Sequence, residues 1–385
     1  MRYDSARLAG LSHESKARPA RFDGSFFLLV LLLLAAGVVM VLSASFPRAY
    51  YDPARVTGGN AVYYFVRQLV FALLGVALML LAARLPMSFY RRWAFPFLAL
   101  TLVLLALVPL VGVKANGSRR WLGVGGLTVQ PSELAKLAVI LCFAEMICRF
   151  GEKMHTVRRG ILPFLGILGL IVGLLVLEPH FSASVIILAL GGCMMFLGGV
   201  GLGWFGAALG LLGGGLAVLL TFFPYASSRI NTWRDPFSSP TSEGYQIVQS
   251  LYSIGSGGLS GLGLGAGRQK YLYLPEEHND FIFSVLCEEL GFIGAALVLT
   301  LFALLVLRGY WIALQCRRRF DFLVVAGITT LLALQVFLNV AVVTNLLPCT
   351  GISLPFFSYG GTALLIQLGE MGIVLSASRE IMERG

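Results

Sequence analysis

Long apolar runs dominate the chain, and short polar segments separate them. An apolar run of about 20 residues crosses a bilayer as a helix, whereas spanning strands read as short alternating segments. The polar separators are weakest between 161 and 223, where they are only Glu178-Pro179-His180 and a glycine-rich break at 198–203. We predict an all-α, polytopic membrane protein with ten transmembrane helices, at 25–45, 66–84, 94–113, 132–149, 161–178, 182–200, 203–223, 281–307, 322–346 and 356–377.

The composition excludes a soluble enzyme. Hydrophobic residues make up 57% of the 385-residue chain and charged residues only 12%, which is too apolar for a soluble domain of this length. The cysteines lie scattered in apolar surroundings without a short paired spacing, so we expect core thiols rather than disulfides or metal ligands. Their positions are 142, 148, 193, 287, 316 and 349.

Basic residues are unevenly divided between the two ends of the predicted spans, and this asymmetry predicts the orientation. The end that carries both termini has about twice as many arginines and lysines as the other end. We therefore expect both termini in the cytoplasm. Residues 1–24 then form a disordered cytoplasmic tail, 25–378 the ten-helix membrane domain, and 379–385 a C-terminal cytoplasmic tail. We expect a membrane-embedded protein with no nucleic-acid partner.

The segment between the seventh and eighth spans, 224–280, is the longest connection in the chain, and we expect it on the external side. Connections of this length are usually functional or disordered. Val248, Leu251 and Tyr252 recur at helical spacing within it, which predicts a short amphipathic helix lying on the membrane. The stretch 255–267 is rich in glycine, which fits either close backbone approach or a flexible hinge.

Several charged residues lie inside or at the start of predicted spans, where charge is costly, and Glu133, Lys136 and Arg67 are among them. Glu133 and Lys136 stand three residues apart in QPSELAKL and therefore share one helix face. Such groups usually face a cavity or each other. Glu133 alone is also explained as a favourable anion at a helix start, but that leaves Lys136 unexplained, so we predict a polar cavity. Arg67 in the second span either joins this cavity or extends to the membrane surface.

Two further clusters lie in the predicted external connections. The stretch KANGSRRWLGVGG places Lys114, Arg119 and Arg120 beside a tryptophan, which is typical of an interfacial anchor or of an anion site for a phosphate-bearing lipid. The stretch YLPEEHNDFIF gathers three carboxylates and a histidine where the eighth span begins. Glu288 and Glu289 follow inside that span and need a polar or basic neighbour, for which Lys136 and Arg67 are candidates.

Several blocks of the sequence resemble one known family. NGSRRW, QPSELAK, SEGYQIVQSLYSIGSGGLSGLGLG, YLPEEHNDFIFSVLCEELGFIG and NLLPCTGISLPFFSYGGTALL occur in order between about Arg67 and Leu375. Together they resemble the SEDS family (shape, elongation, division and sporulation), whose members include FtsW, RodA and SpoVE. Within it, QKYLYLPEEH is more similar to the FtsW and SpoVE branch than to RodA.

The resemblance implies a peptidoglycan glycosyltransferase of the bacterial cytoplasmic membrane. Such an enzyme polymerises lipid II at the outer leaflet, works with a single-span class B penicillin-binding protein and other division proteins, and uses a divalent cation, Mg²⁺ or Mn²⁺. The family's essential loop aspartate aligns with Asp280, the predicted catalytic residue. We assign no metal ligands. The predicted substrate-binding residues are Arg67, Lys114, Arg119, Arg120, Glu133, Lys136, Lys270, Glu277, His278 and Ser358.

The chain also departs from the family pattern. It reads EPHFSA at 178–183, where many members have glutamine-proline-aspartate-leucine-glycine-threonine, so no aspartate role transfers there. Asn279 replaces the common threonine before the loop aspartate. Asp280 or Asn279 as a simple helix cap is the structural alternative. The functional alternatives are a lipid II transporter, a non-catalytic division scaffold, and a polymerase for elongation or sporulation.

Overall fold

The protein is described from a computed structural model. The structure describes residues 22–51, 57–115, 118–124, 127–206, 231–242 and 244–382. Several predictions fall on residues outside these ranges: most of the N-terminal tail, most of the seventh span, the start of the long connection, and the last three residues of the C-terminal tail. For Lys114, only the backbone is described.

The described residues are mainly helical. Short helical stretches also occur at 202–206 and 231–234, and 3₁₀ or π turns occur at Gly151–His155, Val157–Ile161 and Pro236–Ser238. The α-helices are α1 (Gly24–Tyr51), α2 (Tyr63–Arg84), α3 (Met87–Val111), α4 (Pro131–Phe150), α5 (Leu162–Leu177), α6 (Phe181–Leu197), α7 (Tyr245–Gly257), α8 (Ile282–Gln315), α9 (Arg319–Val343) and α10 (Gly361–Met382). Helix α10 thus continues into the segment predicted as a C-terminal tail.

A small antiparallel sheet between α3 and α4 makes the all-α prediction wrong in detail. Its strands, in the order β1-β2-β3, are β1 (Val113–Ala115), β2 (Ser118–Val124) and β3 (Leu127–Val129). The sequence contains the signal for it: Asn-Gly and Gly-Gly pairs separate three short runs, and such pairs favour two-residue hairpin turns. The predicted basic loop is therefore a sheet with a fixed register, in which Lys114 is opposite Arg119.

The prediction of a multi-pass membrane protein is confirmed, but the count of ten spans is not established. Six helices in the described ranges are long and apolar enough to cross a membrane: α1, α2, α3, α8, α9 and α10. Helices α5 and α6 are equally apolar, but with 16 and 17 residues they are shorter than the roughly 20 that a perpendicular span requires. Helix α4 has 20 residues and carries four charged side chains.

Helices α4 and α9 form the centre of the bundle. Nearly every residue of α4 from Pro131 to Ile147 is buried, and so is most of α9. The outer helices instead expose leucines such as Leu73, Leu81 and Leu297, as expected for surfaces that face hydrocarbon. Charged and amide side chains on α4 and α9 are therefore shielded from lipid by protein, which allows a polar interior within the bundle.

The predicted amphipathic helix exists as α7, but its buried face packs against protein rather than against a membrane surface. Ile247 and Val248 are buried. The Ser250 hydroxyl lies 2.7 Å from the Ser284 hydroxyl of α8 and donates to a backbone carbonyl of α9. The connection between the seventh and eighth spans is therefore folded onto the bundle from α7 onwards.

The glycine-rich segment after α7 approaches the α8 backbone closely, so the hinge interpretation is wrong. Helix α8 is interrupted at Gly291, whose φ of 66° and ψ of −167° leave neighbouring peptide groups without helical partners. The glycine-rich segment supplies the hydrogen-bond partners that these peptide groups lack. Leu262 and Gly263 donate to carbonyls of Glu288 and Glu289, and amides after the break donate back to residues 258 and 259. A β-carbon at Gly291 would lie 2.3 Å from a backbone nitrogen, so only glycine fits.

The six cysteines lie where the prediction of core thiols expects them. All six cysteines are free thiols, and each is buried or partly buried.

Candidate active site

A cavity of about 510 Å³ lies at one end of the bundle, where the sheet, five helices and two non-helical segments meet. Helices α2, α4, α6, α9 and α10 contribute walls, and the segments before α8 and before α10 complete the lining. The cavity is unusually polar for the interior of an apolar bundle. Its charged and polar lining comprises Arg67, Arg120, Thr128, Gln130, Glu133, Lys136, His180, Ser182, Glu276, Asn279, Asp280, Gln335, Ser353, Ser358, Tyr359, Thr362 and Gln367.

Three of the predicted basic residues, Arg67, Arg120 and Lys136, line this cavity. Arg67 donates to the Tyr63 hydroxyl one turn away on α2, at 2.7 Å. Arg120 donates to the carbonyl of Pro179 at 2.7 Å, and burial lowers its pKa. The cavity therefore offers several cationic donors to an anion, as the sequence indicated.

Arg119 does not join them, and its predicted substrate contact is wrong for this cavity. Neighbouring residues of a strand point to opposite faces, so only one of Arg119 and Arg120 in β2 can face inward. Arg119 is exposed and donates to the carbonyl of Pro109 at the end of α3. It therefore fixes the sheet against α3.

Glu133 and Lys136 form the predicted pair on one face of α4. The Lys136 ammonium lies 2.6 Å from the Glu133 carboxylate, both side chains are almost fully buried, and both line the cavity. The prediction of a polar cavity around this pair is confirmed. Gln335 of α9 and Gln367 of α10 line the same cavity.

Asp280 lies on the cavity wall, on a segment whose backbone is held at three successive carbonyls. The carbonyl of His278 accepts from the Tyr359 amide at 2.9 Å, and that of Asn279 accepts from the Ser358 hydroxyl at 2.7 Å. The carbonyl of Asp280 accepts from the side-chain amide of Asn339 at 2.8 Å. Helix α9 and the segment before α10 thus fix the position of the carboxylate.

The alternative that Asp280 or Asn279 caps α8 is wrong. The N-cap position of α8 is Phe281, and no described side chain caps that end of the helix. Asn279 instead donates to the Glu276 carboxylate at 2.5 Å. Burial raises the pKa of Asp280 to about 6; the neighbouring Glu276 adds to the rise, and Arg120 and His278 oppose it. At neutral pH Asp280 is an ionised carboxylate that is more basic than usual.

Glu277 and His278, which were predicted to bind substrate, lie outside the cavity. Glu277 accepts two hydrogen bonds from Arg48 of α1, at 2.6 and 2.8 Å, and is fully buried. The His278 ring lies between Tyr64 and Tyr359 in tilted contacts, with ring centroids 4.8 and 5.7 Å away. Both side chains therefore fix the Asp280 segment against α1 and α2.

Lys270 also lies outside the cavity, so it does not join Arg67, Arg120 and Lys136 there. Its ammonium lies 2.6 Å from the Glu289 carboxylate and donates to the Ser43 hydroxyl of α1 and to the carbonyl of Gly265. Lys270, and not Lys136 or Arg67, is thus the partner of Glu289. Glu288 accepts from the amides of Arg268 and Gln269. The two carboxylates of α8 therefore hold the glycine-rich segment in place.

Ser358 is the remaining predicted residue, and it lines the cavity as expected. Its hydroxyl donates to the Asn279 carbonyl and accepts from the Leu354 amide, at 2.7 Å each. Because both hydrogen bonds are internal to the fold, its main role is to connect the segment before α10 to the segment that carries Asp280.

Comparison with known proteins places the chain in a family. The family model described as a cell cycle protein, FtsW/RodA/SpoVE, matches residues 24–383. The chain belongs to this family.

Curated relatives and solved structures agree with this assignment. The chain is 40% identical to the stage V sporulation protein E of Bacillus subtilis over 355 residues, covering 91% of this chain and 95% of the relative. It is 38% identical over 372 residues to the probable peptidoglycan glycosyltransferase FtsW of Trichlorobacter lovleyi, covering 94% of each chain.

Two solved structures share the fold. RodA of Thermus thermophilus superposes with a TM-score of 0.68 at 30% identity, covering 93% of this chain and 97% of that one. A chain of a peptidoglycan synthase complex that coordinates polymerisation and crosslinking gives a TM-score of 0.77 at 31% identity, covering 94% and 98%.

Sequence reasoning missed several cavity residues of this FtsW/RodA/SpoVE family member. Gln335 and Gln367 are amides inside apolar spans, and an isolated amide in such a span is a weak signal of a polar interior. Gln130 precedes α4, and its amide lies 3.5 Å from the His180 ring. His180 was noticed only as a departure from the family pattern, because its place on the cavity depends on how α6 packs.

A divalent cation fits one part of this cavity. Among the described residues, no group of three or more histidine, cysteine, aspartate or glutamate side chains gathers as a protein-only metal site. Mg²⁺ often uses only one or two carboxylates and completes its coordination with substrate phosphates and water. Glu276 and Asp280 both line the cavity, and the charge of Glu276 acts on Asp280. These two carboxylates suit a cation that is shared with a pyrophosphate.

Proposed function

We propose that this chain is a peptidoglycan glycosyltransferase that polymerises lipid II into glycan strands at the outer face of the bacterial cytoplasmic membrane. One observation carries the proposal: a carboxylate on a rigid segment, Asp280, shares a cavity with the basic side chains of Arg67, Arg120 and Lys136. The names of the curated relatives support the reaction type.

The reaction needs a base and positive charge. A sugar hydroxyl attacks an anomeric carbon, and a new glycosidic C–O bond forms with inversion. The bond from that carbon to the lipid pyrophosphate breaks, and its electron pair leaves with the pyrophosphate. The hydroxyl proton must be accepted, and the charge that develops on the leaving group must be stabilised. Because cations can neutralise a pyrophosphate, one carboxylate suffices, unlike glycoside hydrolysis.

In this proposal Asp280 accepts the hydroxyl proton. Its raised pKa, about 6, brings its basicity closer to the pH of the reaction, which favours proton transfer. Arg120 and Lys136 stabilise the departing pyrophosphate, with Arg67 at the cavity rim. A divalent cation held by Glu276, beside Asp280, would supply further positive charge to the pyrophosphate when bound.

The direction of the cavity follows from the charge asymmetry of the chain. With both termini in the cytoplasm, the end that carries the sheet, Asp280 and the cavity faces outward, where the leaflet meets water. We propose a single-span class B penicillin-binding protein as the partner, supported by the likeness to a chain of a peptidoglycan synthase complex.

We assign the chain to the FtsW branch and to cell division, together with other division proteins. The likeness to a sporulation protein and to RodA leaves sporulation and elongation as the alternatives within the family. Depletion of the protein followed by microscopy distinguishes them, because loss of division gives filaments whereas loss of elongation gives rounded cells.

The decisive experiment is polymerisation by the purified protein with its partner in liposomes supplied with labelled lipid II. The parent is expected to form glycan chains, and Asp280→Asn is expected to lose this activity almost completely while it remains folded, since the change is nearly isosteric. Asp235→Asn, in an exposed turn outside the cavity, is the matched control and is expected to behave like the parent.

The other outcomes each exclude part of the proposal. Unchanged output from Asp280→Asn removes Asp280 as the base. Movement of lipid II across the bilayer without polymer supports the transporter. If neither activity occurs although the partner complex forms, the scaffold interpretation holds.

A further inference from the structure

His180 lies on the wall of the cavity, between α5 and α6, and the proposed chemistry does not use its ring. The backbone around it is fixed, because its amide donates to the Leu175 carbonyl at 2.9 Å and its carbonyl accepts from Ser184. The side chain is only 6% exposed, and it lines the cavity. The backbone therefore holds this residue in place at the cavity wall.

One ring nitrogen of His180 lacks a partner. Nδ1 is buried and has no hydrogen-bond partner among the described residues, whereas Nε2 lies 3.5 Å from the side-chain amide of Gln130. A buried polar atom without a partner destabilises a fold, so packing alone does not account for it. When the Gln130 amide donates to Nε2, Nδ1 carries the proton and is a donor. An acceptor atom of a ligand in the cavity would satisfy it.

The charge state of the His180 ring indicates what kind of acceptor atom suits Nδ1. Burial lowers the pKa of His180, the positive charges of Arg120 and Lys136 act in the same direction, and together they bring it to about 3. The imidazole is therefore neutral at working pH, and it cannot serve as a proton donor to a leaving group or as a cationic phosphate ligand. Arginine and lysine supply the charge for phosphate, so a neutral donor beside them suits a neutral oxygen.

The two cations also locate that oxygen. Both Arg120 and Lys136 act on the ring, so all three groups lie in one region of the cavity. A ligand whose pyrophosphate contacts the two cations brings the group attached to the pyrophosphate near His180. In a lipid-linked sugar this group is the sugar itself, whose acetamido carbonyl and hydroxyl oxygens are neutral acceptors.

We infer that His180 is a substrate-binding residue whose Nδ1 donates a hydrogen bond to a neutral oxygen of the sugar next to the pyrophosphate. The inference rests on the proposed function, since it assumes a sugar pyrophosphate in this cavity. It makes His180 a determinant of specificity: the cations bind any lipid pyrophosphate, and the histidine distinguishes one that still carries its sugar.

Two variants and two ligands test this inference. His180→Phe keeps an aromatic ring but removes both nitrogens, and His180→Asn places an amide nitrogen close to the position of Nδ1. Binding of lipid II, and of undecaprenyl pyrophosphate, which has no sugar, is measured by the shift in melting temperature of the full chain with its partner. KM and kcat for polymerisation are measured on the same samples.

The phenylalanine variant is expected to bind lipid II about tenfold more weakly, as expected for the loss of one hydrogen bond, and to bind undecaprenyl pyrophosphate like the parent. The asparagine variant is expected to recover most of the lipid II affinity. Without ligand, the phenylalanine variant is expected to melt close to the parent, because within the described fold its ring loses only the 3.5 Å contact between Nε2 and the Gln130 amide.

Two binding results would overturn the inference. One is that His180→Phe weakens the binding of lipid II and of undecaprenyl pyrophosphate equally. The other is that His180→Phe binds lipid II as tightly as the parent does. A pH dependence of KM that is present in the parent and lost in that variant also overturns it, because the ring would then transfer a proton. Failure of the proposed function is distinguishable. In that case the parent makes no polymer, whereas the two binding measurements still report whether His180 recognises the sugar.

Discussion

A β-carbon added to Gly351 would lie 2.8 Å from Oδ2 of Asp280. The cavity carboxylate therefore rests directly against the backbone of the segment before α10. Asn339 strengthens the same junction, since its side-chain amide donates to the carbonyls of Asp280 and Ile352 at 2.8 and 2.6 Å. The position of the proposed base thus depends on a contact between residues that are far apart in the sequence.

We predict that Gly351→Ala lowers polymerisation by about 100-fold, because the new methyl group displaces the carboxylate and misplacement by about 1 Å has effects of this size. Gly351 does not have a positive φ, so alanine fits the backbone and the melting temperature should change little. The measurement is kcat with labelled lipid II. Gly369→Ala on α10 is the control, since its methyl group would meet only Leu78 at an ordinary 3.6 Å. Equal activity of the two variants would contradict the prediction.

Asn339→Leu is expected to destabilise the protein and to reduce activity together. Leucine has nearly the same size but no donor, so two buried carbonyls lose a hydrogen bond, each at about 1–3 kcal/mol. The free energy of unfolding in detergent and the rate of polymerisation are measured in parallel. Thr329→Val on the same helix removes only a bond to its own helix, at the Val325 carbonyl, and serves as control. A stable but inactive Asn339 variant would show that the amide acts on substrate instead.

Lys270→Met is expected to lower the free energy of unfolding by about 3–5 kcal/mol, because it leaves the buried Glu289 carboxylate without its cation. The two side chains are 2% and 0% exposed. The double variant with Glu289→Met should recover part of the loss. Arg318→Met breaks an ion pair of 3.4 Å in which Arg318 is 48% exposed, and it should cost at most about 1 kcal/mol. Equally small losses of unfolding free energy in Lys270→Met and Arg318→Met would contradict the prediction.

Glu178, next to the cavity, should make the protein less stable as the pH rises. Its carboxylate oxygens are buried without a hydrogen-bond partner in the part of the chain that the structure describes, and burial raises its pKa from 4.5 to about 8, against the opposing charge of Arg120. Between these values the folded state holds a proton that the unfolded state has lost, so stability is full below about pH 4.5 and declines until about pH 8.

Glu178→Gln removes this decline, so the variant should match the parent near pH 4.5 and exceed its stability at pH 8. Melting temperatures across this range provide the measurement.

Glu277→Gln should have the opposite effect. Burial opposes the ionisation of Glu277, but the nearby His278 ring and the hydrogen bonds from Arg48 outweigh it and lower its pKa. The parent therefore keeps this stabilisation above the unfolded pKa and loses it as the pH falls through the folded value. Parallel pH curves for all three proteins would contradict both expectations.

Sequence patterns predicted local features of the site well. Glu133 and Lys136 were assigned to one face of α4 because helical periodicity alone fixes such a relation. The basic pair Arg119 and Arg120 was placed in an irregular loop, so the alternation of a strand, which sends one of them away from the cavity, was missed. The Asn-Gly and Gly-Gly pairs on either side of β2 were the sequence signal for a strand at this position.

Relations between distant segments were the part that patterns did not predict. Glu289 was expected to meet Lys136 or Arg67, but its partner is Lys270, which approaches from the glycine-rich segment at the break in α8. Glu277 and His278 were grouped with Asp280 because they are adjacent in sequence. Their side chains point instead toward α1 and α2, where Arg48 and Tyr64 hold them.

The sequence by itself determined that this is a multi-pass membrane protein, because partition into a bilayer depends on the apolar content of a run of about 20 residues, whatever its neighbours are. Its resemblance to the FtsW/RodA/SpoVE family was also evident from the sequence, in blocks such as QPSELAK and YLPEEHNDFIF. Only the tertiary structure decided which charged side chains share the cavity with Asp280 and which neutralise one another elsewhere. The physical reason is that a buried charge is stabilised by whichever partner the packing of helices and connecting segments brings within a few ångströms, and local sequence does not specify that partner.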